Sequence, residues 1–290
     1  MQELTIVWQR ARSSVWEDEW VEYLFQDIPH RTVENLDHTQ FIDNSVIVDA
    51  ICWAPYHNEY VAEMTRRGLN FGMVHLTDES TADDISSYKD CKFVLRNYYR
   101  NSVPNNVMHI PLGYNTGFTA HTENPPADQR KFIWACVGAR WDQNRNNMAQ
   151  AMSSIPNGNL YVAGHHGPRL TPAEMSKMYR DSMFVPCPRG AIIMDNFRVT
   201  EALEAGCIPI VERSDYWANM HGLDFPAIQI DNWALVPTLV HQYIQDPVGL
   251  DQLRNRCYNW WTARKQLVTK NVTELVTKTM FPNLQIVVDR

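Results

Sequence analysis

Two arginines and a glutamate in the run Phe184 to Val211 have the types and spacing of a nucleotide-binding group. Arg189 lies in a loop after an apolar strand, and Arg198 and Glu201 lie three residues apart on the helix that follows. A carboxylate on the first turns of such a helix can accept hydrogen bonds from both hydroxyls of a ribose, while the helix N-terminus and Arg189 favour a diphosphate. The segment therefore predicts a nucleotide pocket, and the alternative is an ordinary surface ion pair between Arg198 and Glu201.

Asp195 is the first residue of this predicted helix, which covers residues 195–205. An aspartate at that position commonly accepts hydrogen bonds from the free N–H groups of the first turn, so we expect Asp195 to be the N-cap. Gly206 ends the helix, and an apolar strand follows at 208–212. In a doubly wound sheet, ligands bind outside the carboxyl ends of the strands, which is where these charges fall.

A second candidate phosphate element is the turn Gly138-Ala139-Arg140, followed by Asn144 and Arg145 at the start of a predicted helix. A strand that ends in glycine lets the backbone approach a phosphate, and the two arginines flank the turn. The alternative is a solvated turn with exposed cations. The charges in the run 184–211 favour the phosphate interpretation.

The next strand ends in Gly164-His165-His166-Gly167. Paired histidines suggest a metal site, but no third ligand accompanies them at a recognisable spacing. We therefore expect no metal here. The sequence favours a loop in which His165 lines the sugar or the nucleotide.

Acidic residues follow an apolar strand in the first part of the chain. The strand 71–76 runs into Asp78 and Glu79, and a polar, helical stretch is predicted after them. Asp78 is either a catalytic base or a cap for that stretch. Asp49, inside the apolar run 46–53, must meet a cation such as Arg96 or face a cleft, because a buried acid without a partner is costly.

Strands and helices alternate along the whole chain, which predicts an α/β fold with two Rossmann-like lobes. The expected N-terminal, acceptor-side lobe covers 1–122 and the nucleotide-sugar lobe 130–250, with a Pro-rich hinge candidate at 119–130. A long final helix, within 251–290, is expected to pack back on the first lobe. The predicted strands are 4–8, 45–54, 69–76, 92–96, 107–111, 132–138, 159–163, 183–187, 208–212 and 227–230.

Charge and composition narrow the classes of protein and partner. The formal net charge of −7 argues against a duplex nucleic-acid partner, which needs clustered Lys and Arg. The six cysteines are scattered without a CxxC pair, which predicts buried free thiols. Residues 1–8 lack the features of a signal peptide and no stretch has the length of a membrane helix, so we expect a soluble protein of the cytoplasm or nucleus.

The run 184–211 resembles the exostosin-like glycosyltransferases. Their second lobe carries a strand that ends in CPRG, a helix with an EAL core, and then AGCIPVV. The corresponding segments here are CPRG at 187–190 and EALEAGCIPIV at 201–211. The GAR turn at 138–140 and the HLTDE stretch at 75–79 are similar to further parts of the family. Compact members of this kind are similar to glycosyltransferases of large algal viruses.

This resemblance implies a GT-B architecture and an inverting transfer of a sugar from a UDP-sugar, with no obligatory metal. Glu201 would hold the donor ribose, Arg189 and Arg140 the diphosphate, and Arg198 would support the pocket. Asp78 or Glu79 would be the base. We also expect Pro188, Arg145, His165 and Asp195 to take part in nucleotide binding. The HLTDE strand end is similar to that of xylosyltransferases, which favours UDP-xylose as donor, and the expected acceptor is a glycan hydroxyl.

Two other functions remain open at this point. A GT-B fucosyltransferase also has a Glu-centred helix followed by a small-residue turn and a Pro-containing strand, and it would bind GDP-fucose. A carbohydrate-binding protein could keep the fold without catalysing transfer. The acids at 78–79 and the intact CPRG and EAL segments favour an enzyme.

Overall fold

The computed structural model describes residues 3–10, 16–50, 57–76, 78–120, 124–139, 142–162 and 170–282. Its chain divides into two compact units. Unit 1 takes in 1–15, 21–111 and 266–290, and unit 2 takes in 16–20 and 112–265. Neither unit is continuous in sequence.

Unit 1 is built on a parallel sheet of six described strands in the order β2-β1-β3-β4-β5-β6. Helices α1 (Asp18–Phe25) and α2 (His57–Arg66) alternate with its strands. Strands β1, β3 and β4 are buried along their whole length, as expected for a parallel sheet covered on both faces. The strands are β1 (Leu4–Gln9), β2 (His30–Glu34), β3 (Ser45–Asp49), β4 (Phe71–His75), β5 (Val94–Arg96) and β6 (Val107–His109).

Unit 2 has a parallel sheet of five described strands in the order β11-β10-β9-β7-β8. The strands are β7 (Phe132–Gly138), β8 (Gly158–Val162), β9 (Ser182–Pro186), β10 (Ile208–Glu212) and β11 (Ile228–Ile230). The chain moves outward from β7 to β8 and then returns to the other side of β7 with β9. The topological switch point, where ligands bind in open α/β sheets, is therefore at the carboxyl ends of β7 and β9.

In the described part of the chain, six helices accompany this sheet: α3 (Gln143–Ser153), α4 (Pro172–Arg180), α5 (Phe197–Glu204), α6 (Asp215–His221), α7 (Val236–Ile244) and α8 (Pro247–Met280). Asp142 caps α3 by accepting from the backbone N–H of Arg145. The N-cap of α5 is Asn196, whose side chain accepts from the N–H of Arg198. The prediction that Asp195 is the cap is wrong by one residue, because the Asp195 side chain points instead to the Tyr216 hydroxyl.

The last helix, α8, contributes to both units. Residues 247–265 belong to unit 2, where Trp261 stacks on Trp20 with ring centroids 5.8 Å apart. Residues 266–280 belong to unit 1, where Val268, Val272 and Val276 are buried at a spacing of four. That spacing puts all three on one face of the helix.

Most predicted elements are confirmed within about two residues, and three differences stand out. Strand β2 was not predicted, since its residues are mostly exposed and carry no apolar pattern. Helix α6 was also missed. The stretch after Ser80 is not an α-helix but a turn, followed by a 3-10 helix at Ser86–Asp90.

The prediction of buried free thiols is confirmed for the five described cysteines, Cys91, Cys136, Cys187, Cys207 and Cys257. Cys52 lies outside the described residues. Across the described ranges, every helix is too short or too polar to cross a bilayer.

Candidate functional site

Gly138, the last residue of β7, is in direct contact with the guanidinium of Arg198. A Cβ at this position would meet Arg198 Nη2, so a larger residue would displace this guanidinium. Arg198 Nε donates to the Val137 carbonyl at 2.7 Å, and Nη1 lies 3.3 Å from Asn196 Oδ1. The helix α5 thus places a cation against the backbone at the switch point, where its partners among the described residues are neutral oxygens.

A second cation, Arg145 on the first turn of α3, is buried and joins the two loops at the switch point. Its Nη1 donates to the Ala139 carbonyl at 3.1 Å and its Nη2 to the Arg189 carbonyl at 3.2 Å. The Arg189 side chain is 47% exposed, with Nη2 3.9 Å from Asp142 Oδ2. Arg145 therefore fixes the loop, while Arg189 presents its charge to solvent.

Glu212, at the carboxyl end of β10, holds the same loop from the other side. Its Oε2 accepts from the backbone N–H of Arg189 at 2.9 Å and from Asn144 Nδ2 at 3.1 Å. Asn144 Oδ1 in turn accepts from the indole N–H of Trp233 at 3.2 Å. The loop after β9 is consequently held in place by hydrogen bonds of the protein itself.

Asp195 and Pro188 lie in the loop that leads from β9 into α5. The carboxylate of Asp195 is 1% exposed and accepts from the Tyr216 hydroxyl at 3.0 Å and the Asn196 N–H at 2.9 Å. Burial raises the pKa of Asp195 to about 7. The carbonyl of buried Pro188 accepts from Asn196 Nδ2 at 3.0 Å. Both residues shape the loop.

Glu201 lies one helical turn beyond Arg198 and is 1% exposed. Its Oε1 accepts from Asn115 Nδ2 at 2.6 Å and from the Asn115 N–H at 3.4 Å. No ion pair joins Glu201 and Arg198, so the surface-pair alternative does not describe these two side chains. Burial raises the pKa of Glu201 to about 7, against the lowering effects of the Asn115 hydrogen bonds and of the Arg198 charge.

The Asp78 carboxylate, in unit 1, is fully engaged by its own neighbours. It is 2% exposed, and its Oδ2 accepts from Arg96 Nη2 at 2.8 Å. Its Oδ1 accepts from the backbone N–H of Ala82 at 2.9 Å and of Asp83 at 3.2 Å. Of the two roles left open by the sequence, this geometry favours the cap, although of a turn and not of a helix.

The remaining acids of unit 1 have different surroundings. Glu79 is half-buried beside Asp78, and Asp49 is 2% exposed at the end of β3. Arg96, which the sequence offered as a partner for Asp49, instead meets Asp78 and donates to the Tyr88 hydroxyl at 3.1 Å.

Arg140 and His165 lie outside the described residues, and their roles stay predictions. Where the side chains are described, no three His, Cys, Asp or Glu residues form a group that could hold a metal ion. Sequence reasoning missed Asn196, Glu212 and Asn115. The acid that ends the strand 208–212 was a usable signal for Glu212, whereas nothing in the local sequence marks Asn115.

Solved structures of known proteins share this architecture. HepE from Anabaena, solved with UDP-glucose, matches with a TM-score of 0.63 at 8% identity over 95% of this chain and 100% of its own. An α1,3-fucosyltransferase matches with a TM-score of 0.55 at 11% identity over 97% of this chain and 91% of its own. A putative UDP-N-acetylglucosamine 2-epimerase from Listeria monocytogenes matches with a TM-score of 0.59 at 8% identity over 98% of each chain.

No family model matches the sequence, and the search of curated proteins found no match. At these identities the structural likeness establishes the fold and leaves the activity to be argued from the site. The predicted fold class is confirmed: this is an α/β chain of the GT-B type, with two Rossmann-like lobes.

Proposed function

We propose that the chain is a glycosyltransferase that takes its sugar from a nucleotide diphosphate donor bound at the carboxyl ends of β7 and β9. The observation that carries this proposal is the placement of Arg198 against Gly138, with Glu201 one turn further along α5. A cation held only by neutral oxygens keeps its charge for a diphosphate, and the N-terminal end of α5 adds to it. The carboxylate of Glu201 then accepts hydrogen bonds from the ribose.

We further propose that the donor is a UDP-sugar, with UDP-xylose as the first candidate, and that transfer inverts the anomeric centre. The resemblance of CPRG and EALEAGCIPIV to exostosin-like enzymes supports this choice. HepE, which has a similar fold, was solved with UDP and with UDP-glucose. The acceptor is a hydroxyl of a glycan.

The transfer is proposed as a single displacement. A base deprotonates the acceptor hydroxyl, whose oxygen attacks the anomeric carbon as the bond to the diphosphate breaks. Arg189, Arg198 and the α5 N-terminus stabilise the charge that develops on the diphosphate, and we propose that no metal ion is required. Of the two acids expected as base, Glu79 is preferred, since an arginine and two backbone N–H groups engage the Asp78 carboxylate.

Thermal stabilisation by nucleotides tests the donor class. A ligand present at a hundredfold its Kd should stabilise the fold by about 2.7 kcal/mol, which is a readily measured rise in Tm. We expect UDP to stabilise the protein and GDP to have little effect, and we expect Glu201→Ala to remove the UDP effect. Stabilisation by GDP-fucose and not by UDP would replace this proposal with a fucosyltransferase.

Release of UDP from UDP-xylose, measured with and without a panel of oligosaccharides, tests transfer itself. We expect release to depend on an acceptor and to persist in EDTA. Glu79→Gln should lower kcat without changing UDP affinity. Binding of UDP without turnover of any sugar would point to the non-catalytic alternative, and conversion of the donor sugar without an acceptor would point to an epimerase.

A further inference from the structure

Glu201 and Asn115 together have two hydrogen-bond acceptors that no donor of the described residues reaches. The backbone nitrogen and the side-chain nitrogen of Asn115 both donate to Glu201 Oε1, and within the described residues no donor reaches Glu201 Oε2. The side-chain oxygen of Asn115, Oδ1, likewise has no donor among them. The amide orientation follows from chemistry, because a flipped Asn115 would place its oxygen 2.6 Å from a carboxylate oxygen.

Asn115 sits on a short segment of unit 2, the strap, which we define as residues 112–117. The hydroxyl of Thr200, next to Glu201 on α5, donates to the carbonyl of Gly113. Gly113 has a φ of +79°, and a Cβ there would lie 2.3 Å from the Trp20 ring, so the strap cannot accept a larger residue at this point. The backbone N–H of Thr116 donates to the Trp16 carbonyl at 2.7 Å.

The contacts of Gly113 and Thr116 fix the strap on both sides of Asn115. Asn115 is half-buried, whereas Glu201 is almost completely buried, so Asn115 is the more accessible member of the pair. A rigid strap loses little conformational entropy when a ligand binds, and groups arranged in advance contribute more to affinity.

We propose that Asn115 Oδ1 and Glu201 Oε2 bind the two hydroxyls of the donor ribose, one acceptor for each hydroxyl. A vicinal diol presents two donors, and the pair offers one unused acceptor for each of them. This inference rests on the proposed function, since it places the same nucleotide at the same site. It makes Asn115 a determinant of the preference for a ribonucleotide over a deoxyribonucleotide.

Calorimetry with UDP, 2′-deoxy-UDP and 3′-deoxy-UDP tests the pairing. We expect the wild-type protein to bind each deoxy nucleotide about ten- to a hundredfold more weakly than UDP, because a buried acceptor is left without a partner. In Asn115→Ala, UDP affinity should fall by a similar factor. Removal of one of the two hydroxyls should then cost almost nothing more, as expected for two groups that act on each other.

Asn115→Asp provides a second readout that a merely structural role would not produce. Aspartate keeps the acceptor but puts a second carboxyl beside Glu201, so UDP affinity should be lost at pH 8 and recover towards pH 5, where one carboxyl is protonated. The other titratable or charged groups that interact with Glu201 are Arg198, Tyr179 and Cys187. Burial raises the pKa of both Tyr179 and Cys187, so neither changes charge in this range.

Thr119→Val is the matched control, because it removes only a hydrogen bond from a hydroxyl to Glu19, 2.9 Å away, and leaves the strap intact. The pairing is wrong if Asn115→Ala retains the full penalty for both deoxy nucleotides while Glu201→Ala still abolishes UDP binding. If wild-type protein binds neither UDP nor GDP, the proposed function fails, and the pairing with it.

Discussion

One arginine in each unit shows a different way of holding a guanidinium group. In unit 1, Arg96 is fully buried and its charge is neutralised by the Asp78 carboxylate at 2.8 Å. In unit 2, Arg198 is held by the Val137 carbonyl and the Asn196 side-chain oxygen, and no carboxylate in the described part of the chain lies within ion-pair distance. A neutralised cation stabilises structure, whereas one held by dipoles alone is available to an anion from outside.

The largest expected effect comes from Asp78→Asn, which leaves the buried charge of Arg96 without its counterion. Breaking a buried pair in this way costs about 3 to 5 kcal/mol of unfolding free energy, measured by urea denaturation. Glu63→Gln is the control, since it removes an ion pair with the exposed Arg66 and should leave the unfolding free energy nearly unchanged. Unchanged stability with lost turnover would instead make Asp78 the base and reverse the contrast between the units.

Arg198→Met tests the other half of the contrast. Loss of charged hydrogen bonds to a diphosphate should cost about 2 to 3 kcal/mol of UDP binding, and much less for uridine, which has no phosphate. Calorimetry with UDP and with uridine measures the two losses of affinity separately. Arg213→Met, which removes an exposed cation paired with Asp231, should leave both affinities unchanged. An equal loss for UDP and uridine would mean that Arg198 only supports the fold.

His221 is a buried polar side chain of unit 2. Its ring stacks on Phe225 at 4.8 Å and on Trp217 at 6.0 Å, and neither of its nitrogens has a hydrogen-bond partner among the described residues. Burial, with a smaller effect from Arg264, lowers its pKa to about 3. Because the folded pKa lies below the unfolded value, stability is complete above about pH 6.5 and is lost as the pH falls towards 3.

His221→Phe should therefore stabilise the protein more at pH 5 than at pH 8. At pH 5 the unfolded histidine binds a proton that the folded one excludes, which costs the wild type about 2 kcal/mol. Urea denaturation at the two pH values measures the difference between variant and wild type. A difference that is the same at both pH values would show that His221 is charged or bonded in the folded protein.

The smallest effect is the pH dependence of UDP binding through Glu201. With its pKa near 7, the carboxylate that accepts from a ribose becomes populated between pH 6 and 8, and UDP affinity should rise about tenfold over that range. Glu201→Gln should abolish this part of the pH dependence. The effect of Glu201 on the free energy of unfolding has the opposite pH dependence. Because its pKa is raised in the folded protein, Glu201 stabilises the fold fully below about pH 4.5, and this stabilisation is lost as the pH rises past 7.

Sequence patterns predicted the second unit better than the first, and the reason is physical. Strands β7, β9 and β10 of unit 2 are mostly apolar and bounded by loops, and glycine and proline mark the loops of the switch point, so β7, β9 and α5 could be placed from the chain alone. Strand β2 of unit 1 is exposed on most of its residues and has no pattern to detect.

The sequence predicted only those site residues that lie near one another along the chain. Arg189, Arg198 and Glu201 share one stretch of sequence, and their positions after a strand were sufficient to bring them together. Asn115 is 86 residues from Glu201, and its contact depends on how the strap crosses α5. The choice between Asp195 and Asn196 as cap depended on where Tyr216 lies, which a local pattern does not encode.

The position of α8 at the end of the helical sequence sets the order in which the two units can complete their folding during synthesis. Its segment 266–280 packs in unit 1, where the Met280 carbonyl accepts from Asn70 at 3.1 Å and Thr269 lies 3.5 Å from the Tyr23 carbonyl. A ribosome adds about 5 to 20 residues per second, so the amino-terminal part of unit 1 must wait on the order of ten seconds or more for the helix that completes its core. The part of the protein that is made first is therefore the part that finishes folding last.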